Sequence, residues 1–185
     1  DIQRCDSAQL QILPKWLKTA KYLKFLDIKY VLDKNEINKG LAEVLSNLKN
    51  VKSLSSLSMS HLWKFRTSDT LSNPPKVVIG LKYLKGLRRL LIKGVALPGS
   101  SNTLVLLRSI KGVTGLSDFH FDFHLCKGRS NLEVQCFIDS LKKMKGLTSL
   151  WLHLGQRYQL ADNEVSQLFE YLCSLDSLKT LGLSI

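Results

Sequence analysis

The spacing L-x-x-L-x-L constrains this chain more than any other feature, because it occurs six times at nearly constant intervals. Its first leucines are Leu23, Leu54, Leu87, Leu116, Leu147 and Leu178, spaced 31, 33, 29, 31 and 31 residues apart. From each anchor an apolar alternation runs onward, as in Leu26 and Ile28, Leu57 and Met59, or Leu150 and Leu152. Period two is the signature of a strand with one buried face. Each unit is therefore expected to contribute one short strand.

Before each anchor the apolar positions lie ten, nine, six and three residues upstream. The columns are Val44, Val77, Leu106, Phe137, Leu168; Leu45, Val78, Leu107, Ile138, Phe169; Leu48, Leu81, Ile110, Leu141, Leu172; and Val51, Leu84, Val113, Met144, Leu175. Steps of one, three and three predict a single helical stripe. A strand and a helix in about 30 residues cannot enclose a core alone, so neighbouring units must stack to remove their stripes from water. The expected architecture is an α/β solenoid, with a curved parallel sheet on the concave side and helices on the convex side. One domain, residues 1–185, with about six units follows from the absence of a linker-like segment.

The pattern resembles the leucine-rich-repeat family, and the unit length with a full helix is most similar to its ribonuclease-inhibitor-like subclass. The lysine-rich lead-ins, residues 48–54 and 141–147, are similar to lysine-rich repeat arrays of ciliates. The family usually carries Asn or Cys eight residues past the anchor. Here that column reads Val31, Leu62, Val95, His124 and Gly155, a departure that bears on loop geometry.

The first unit is atypical, with Leu13, Leu17 and Ala20 in helix columns and Pro14 among them. Because proline suits a first helical turn, the ordered helix is expected to start near Pro14. In unit two the predicted helix is 41–48, in unit four 103–110, and in unit six 165–172 with Asp162 or Asn163 as cap. Residues 61–76 form the longest connection; Asn73 is a candidate cap for Pro74, and Trp63, Lys64, Phe65 and Arg66 bring aromatic and basic groups together. The simpler reading, that Trp63 and Phe65 cover a helix edge, is the preferred one.

Positions two, four and six past each anchor face outward, and stacking places their side chains in ladders about 4.8 Å apart. Units three to five gather Arg89, Leu91, Lys93, Asp118, His120, Asp122, Trp151 and His153 there. Two imidazoles and two carboxylates could hold a metal or perform acid–base chemistry. Yet the histidines lack the i, i+4 helical spacing of a zinc protease, no nucleophile motif accompanies them, and opposite charges can satisfy one another across strands. With Trp and Arg enriched at binding hot spots, the better reading is a protein-recognition surface, with no metal and no cofactor.

Lysines also fall into columns. Lys18, Lys49, Lys82, Lys111 and Lys142 lie five residues before the anchor; Lys21, Lys52, Lys85 and Lys145 lie two before it. Cations suit a helix C-terminus, which is the structural reading. The competing one is a basic ridge for a polyanion, built from Lys49, Lys52, Lys82, Lys85, Lys111, Lys142 and Lys145.

The chain has 27 basic and 15 acidic side chains and a net charge of +12, which favours acidic partners, whether acidic protein surfaces, nucleic acid or anionic lipid. No run approaches a membrane span and no signal-peptide order opens the sequence. Cys5, Cys126, Cys136 and Cys173 are scattered rather than clustered at the ends, so an intracellular setting, the cytoplasm first, is expected. There is no glycine-rich phosphate loop, CxxC pair or Gly-x-Ser-x-Gly elbow. The sequence therefore points to a non-catalytic interaction scaffold, a subunit or adaptor, with an RNA- or anionic-surface-binding module as the alternative. The last strand is expected to be covered by further repeats or by a partner.

Overall fold

A computed structural model describes residues 7–29, 43–44, 46–63, 81–95, 106–122, 131–153 and 161–184. Six strands form one parallel sheet in chain order: β1 Phe25–Lys29, β2 Ser56–Trp63, β3 Arg89–Val95, β4 Asp118–Asp122, β5 Ser149–His153 and β6 Thr180–Ser184. The register is the one the anchors dictate, with Leu26, Leu57, Leu90, Phe119, Leu150 and Leu181 opposite one another across the sheet. Segment 131–141 is helical and stays out of the sheet. This is the α/β leucine-rich-repeat solenoid that the sequence predicts.

Hydrogen bonds fix the register before the strands begin. Each residue after an anchor donates its N–H to the equivalent carbonyl of the preceding unit: Ser55 to Lys24 (2.9 Å), and Arg88 to Ser55, Ser117 to Arg88, Thr148 to Ser117 and Lys179 to Thr148, each at 2.8 Å. In three units the side chain adds a bond, with Ser55 Oγ to Lys24 O, Ser117 Oγ to Arg88 O and Thr148 Oγ1 to Ser117 O. A hydroxyl suits this position because it adds a further donor to a carbonyl that already accepts the N–H groups of two successive residues.

The lead-in to each strand corrects the expectation of one continuous helical stripe. Beyond the residue six before the anchor, the backbone makes successive i to i+3 turns: Val51 N–H to Leu48 O (3.0 Å) then Leu54 N–H to Val51 O (3.1 Å), and likewise Leu84 to Leu81 and Leu87 to Leu84. Such turns eclipse residues three apart, so the three-residue spacing keeps each leucine inward after the helix has ended. In units two and three the turns Leu48–Asn50 and Leu81–Tyr83 are 3-10. Helix is present at 43–44, 46–47 and 106–110, whereas Val77, Val78, Asn73, Pro74, Lys64, Phe65 and Arg66 lie outside the described residues.

The first helix spans Ser7–Thr19 with Pro14 in its interior rather than at its start. An interior proline costs about 3 kcal/mol through the lost hydrogen bond and ring clash. Burial of Leu13 and Leu17 in the common core, about 1.5–3 kcal/mol each, offsets it. In unit six the helix is Asp162–Cys173 and its N-cap is Ala161, not Asp162 or Asn163. The Glu164 carboxylate accepts the Ala161 N–H at 2.9 Å, so a residue three positions into the helix caps it where the N-cap has no polar side chain.

The core lies between the sheet and the helical layer. The inward strand residues from Leu26 to Leu152 are at most 4% exposed, and Leu48, Val51, Leu54, Leu84, Leu87, Leu141, Met144 and Leu147 are nearly inaccessible. Ser140, also buried, places its hydroxyl 2.9 Å from Leu107 O of the preceding unit and 2.7 Å from Cys136 O of its own helix. In the last unit Leu181 and Phe169 are each 45% exposed, although Leu150 in the one column and Leu107 and Ile138 in the other are buried, because among the described residues no unit stacks on their far side. Leu181→Ala should therefore cost well under half of what Leu150→Ala costs in a urea melt, the latter being about 2–5 kcal/mol.

Candidate functional site

The open face of the sheet carries three in-register ladders. One reads Phe25, Ser56, Arg89, Asp118, Ser149, Thr180; the next Asp27, Ser58, Leu91, His120, Trp151, Gly182. The third runs Lys29, Ser60, Lys93 on β1 to β3 and Asp122, His153, Ser184 on β4 to β6. The paired positions of β3 and β4 end at Ile92 and Phe121, so the register does not extend to Lys93 and Asp122. Strand periodicity alone therefore brings all eight candidate residues to one face, although β3 and β5 are about 60 residues apart in sequence.

Within the patch the side chains interlock. Arg89 Nε donates to Asp118 Oδ2 at 2.7 Å, with the Arg89 side chain 65% exposed and Asp118 26%. The pair is partly in water, so it orders the arginine more than it stabilises the fold. Trp151, 46% exposed, stacks on His120 with ring centroids 6.2 Å apart and planes 15° from parallel. The indole also approaches Gly182, where any Cβ would collide with its ring carbons. Glycine at this position leaves the space that the tryptophan ring occupies next to β6. Beside it His120, Trp151, Leu152, His153, Gly182, Leu183 and Ser184 line a shallow depression of about 270 Å³.

Burial pushes His120 below the ordinary histidine pKa, and Lys93 lowers it further; Asp122 and Asp118 act in the opposite direction, and His153 adds a small depression. Burial and Lys93 both favour the neutral imidazole, which presents an uncharged stacking face to Trp151. A depressed histidine leaves the unfolded chain binding more protons just below pH 6.5. Stability from this group is then present above pH 6.5 and lost as the pH falls through the folded value. An NMR titration should find the His120 midpoint below that of an exposed histidine, and Lys93→Ala should raise it.

The sequence did not single out Gly182 or Ser184. Gly182 carries a readable signal, a glycine in the outward column directly opposite a tryptophan. The seating of the ring is not readable, because it depends on the rotamer of Trp151.

The seven ridge lysines, Lys49, Lys52, Lys82, Lys85, Lys111, Lys142 and Lys145, are all exposed along the turns that lead into the strands. Lys82 places its ammonium 5.0 Å from the centre of the Tyr83 ring. Near Lys142 and Lys145 a cavity of about 510 Å³ is bordered by Glu170, Tyr171, Ser174, Asp176 and Ser177. The buried Tyr171 hydroxyl has no hydrogen-bond partner among the described residues, and burial raises its pKa well above that of an ordinary phenol.

Among the described residues no three His, Cys, Asp or Glu side chains come together in a way that could hold a metal ion. None of their helices is long and apolar enough to cross a membrane.

The sequence matches no protein-family model and no curated protein. Among solved structures it is similar to an internalin from Listeria monocytogenes, at 14% identity over 90% of this chain and 49% of that one, with a TM-score of 0.46. The chain thus spans about half the length of that internalin. At this level of similarity the leucine-rich-repeat architecture rests on the chain's own columns, strand order and register.

Proposed function

We propose that the chain is a non-catalytic protein-interaction scaffold, a subunit or adaptor, whose working surface is the open face of β3 to β6. The observation that carries this reading is Trp151, a half-exposed indole packed on His120 of one neighbouring strand and on Gly182 of the other. A large aromatic already immobilised loses little conformational entropy on binding, which is what makes such residues hot spots. Arg89, held by Asp118, supplies an oriented guanidinium at the rim. The net charge of +12 favours a partner with an acidic surface and steers its approach.

The unit length suits the ribonuclease-inhibitor-like subclass, and residues 1–185 act as one domain of about six units. Cys136 and Cys173 are free thiols, in keeping with an intracellular, reducing setting. Trp151→Ala should weaken partner binding at least ten-fold by isothermal titration calorimetry while leaving the unfolding midpoint nearly unchanged, since the residue lies outside the core. Unchanged affinity would remove the open face from the reading.

A further inference from the structure

The charge of this molecule is distributed in an unusual way. In units one to five, the eight residues from six before the anchor to one after it (17–24, 48–55, 81–88, 110–117 and 141–148) contain twelve Lys or Arg and no Asp or Glu. The whole chain has 27 basic and 15 acidic side chains, so outside these segments fifteen of each remain and cancel. The entire net charge of +12 therefore resides in one structural position repeated five times.

All twelve basic residues are exposed, and among the described residues none forms a salt bridge. The segments lie side by side, because the carbonyl one past each anchor accepts the N–H of the next unit. Gly112 packs so closely on Lys82 that a Cβ there would come 2.7 Å from Lys82 Cβ, and Arg88 reaches across to Gly115 O at 2.8 Å. The cations thus form one continuous strip along the solenoid, with units repeating at about the 4.8 Å strand spacing. Helix capping does not account for it. A helix dipole acts within its last turn, whereas Lys21, Lys52, Lys85 and Lys145 lie beyond the helices in the turns, and Lys24 and Arg88 lie at the first residue after the anchor.

Two exposed aromatics interrupt the strip. Tyr22, 92% exposed, sits between Lys21 and Lys24, and Tyr83, 46% exposed, lies beside Lys82. We propose that this strip binds single-stranded nucleic acid, with the lysines along the phosphates and Tyr22 and Tyr83 as stacking platforms for bases. A line of cations with interspersed aromatic faces is the chemistry that holds a single strand without reading its sequence. A lipid headgroup layer or an acidic peptide would need the cations but not the tyrosines. A duplex keeps its bases stacked away from them. This surface is separate from the open face and does not depend on the reading given for it.

The test is a fluorescence-anisotropy titration of the full chain with a labelled single-stranded oligonucleotide at several salt concentrations. The triple variant Lys49→Gln, Lys82→Gln, Lys142→Gln should reduce the slope of log K against log salt by roughly 2, at about 0.7 for each phosphate no longer neutralised. The charge-matched variant Lys15→Gln, Lys29→Gln, Arg108→Gln, all outside the strip, should leave the slope unchanged. Tyr22→Ala and Tyr83→Ala should each lower affinity about ten-fold with the slope preserved. The proposal is overturned if both triple variants act alike, if the tyrosine variants bind normally, or if a duplex, phosphatidylserine vesicles or polyglutamate bind as tightly as the single strand.

Discussion

Replacing Phe119 with alanine is expected to lower the free energy of unfolding by about 3–5 kcal/mol. Phe119 is fully buried in β4, opposite Leu90 and Leu150, with its ring centroid 5.6 Å from that of Phe121. Phe121 in turn stacks on Phe137 of helix Asn131–Leu141 at 5.2 Å. Truncation opens a cavity between sheet and helix at the middle of the array, and the packing of both neighbouring units is weakened. In a solenoid each unit is held by its neighbours, so a central defect loosens two interfaces at once. The measurement is a urea titration followed by circular dichroism. Phe25→Ala, whose ring is 71% exposed on the open face of β1, should shift stability by no more than about 0.5 kcal/mol in the same assay.

Gly112→Val should also destabilise, by about 1–3 kcal/mol, through overpacking. An added Cβ would stand 2.7 Å from Lys82 Cβ and 3.1 Å from Lys82 Cα. The second of these is backbone, held in place by the turn Leu81–Tyr83, so the two units must move apart. Gly146→Ala is the contrasting case. Its nearest neighbour would be Leu116 O at 3.8 Å, an ordinary van der Waals approach, and its stability should hold. Equal losses at both positions would show that close packing between units is not what glycine provides.

The stacking order, the register and the inward-facing residues of every strand were legible in the sequence. Each is a consequence of where apolar residues fall, and a one-residue slip would turn Leu57 and Leu90 to the wrong face. The i to i+3 turns before the strands were less legible, because steps of three are shared by an α-helical stripe and a run of 3-10 turns. Only the backbone bonds from Val51 to Leu48 and from Leu54 to Val51 distinguish them. Pro14 misled in the usual direction. Local preference places proline at a helix start, yet burial of Leu13 and Leu17 carries the helix through it. At the cap of the last helix, Glu164 satisfies the Ala161 N–H from inside the helix, so a search for a polar N-cap residue pointed to the wrong position.

For the candidate site the sequence supplied membership and not arrangement. Alternation put Arg89, Asp118, His120 and Trp151 on one face. Which of them touch depends on side-chain rotamers and on the missing side chain at Gly182, quantities that no period encodes. The departure eight residues past the anchor has a visible counterpart in two units. Leu62 and Val95 fall within β2 and β3, which extend to Trp63 and Val95 with a register shift between Ser60 and Trp63.

The central functional claim is that the open face of β3 to β6 is where a protein partner docks, and site-specific photo-cross-linking in the native cell tests it most directly. A benzophenone side chain at Thr180, exposed beside Ser149 on that face, is compared with one at Ser166, exposed on the last helix. The account predicts a discrete protein adduct from position 180, abolished when Trp151→Ala is added, and none of that mass from position 166. Equal adducts from both positions, or an adduct at 180 that survives Trp151→Ala, would contradict it.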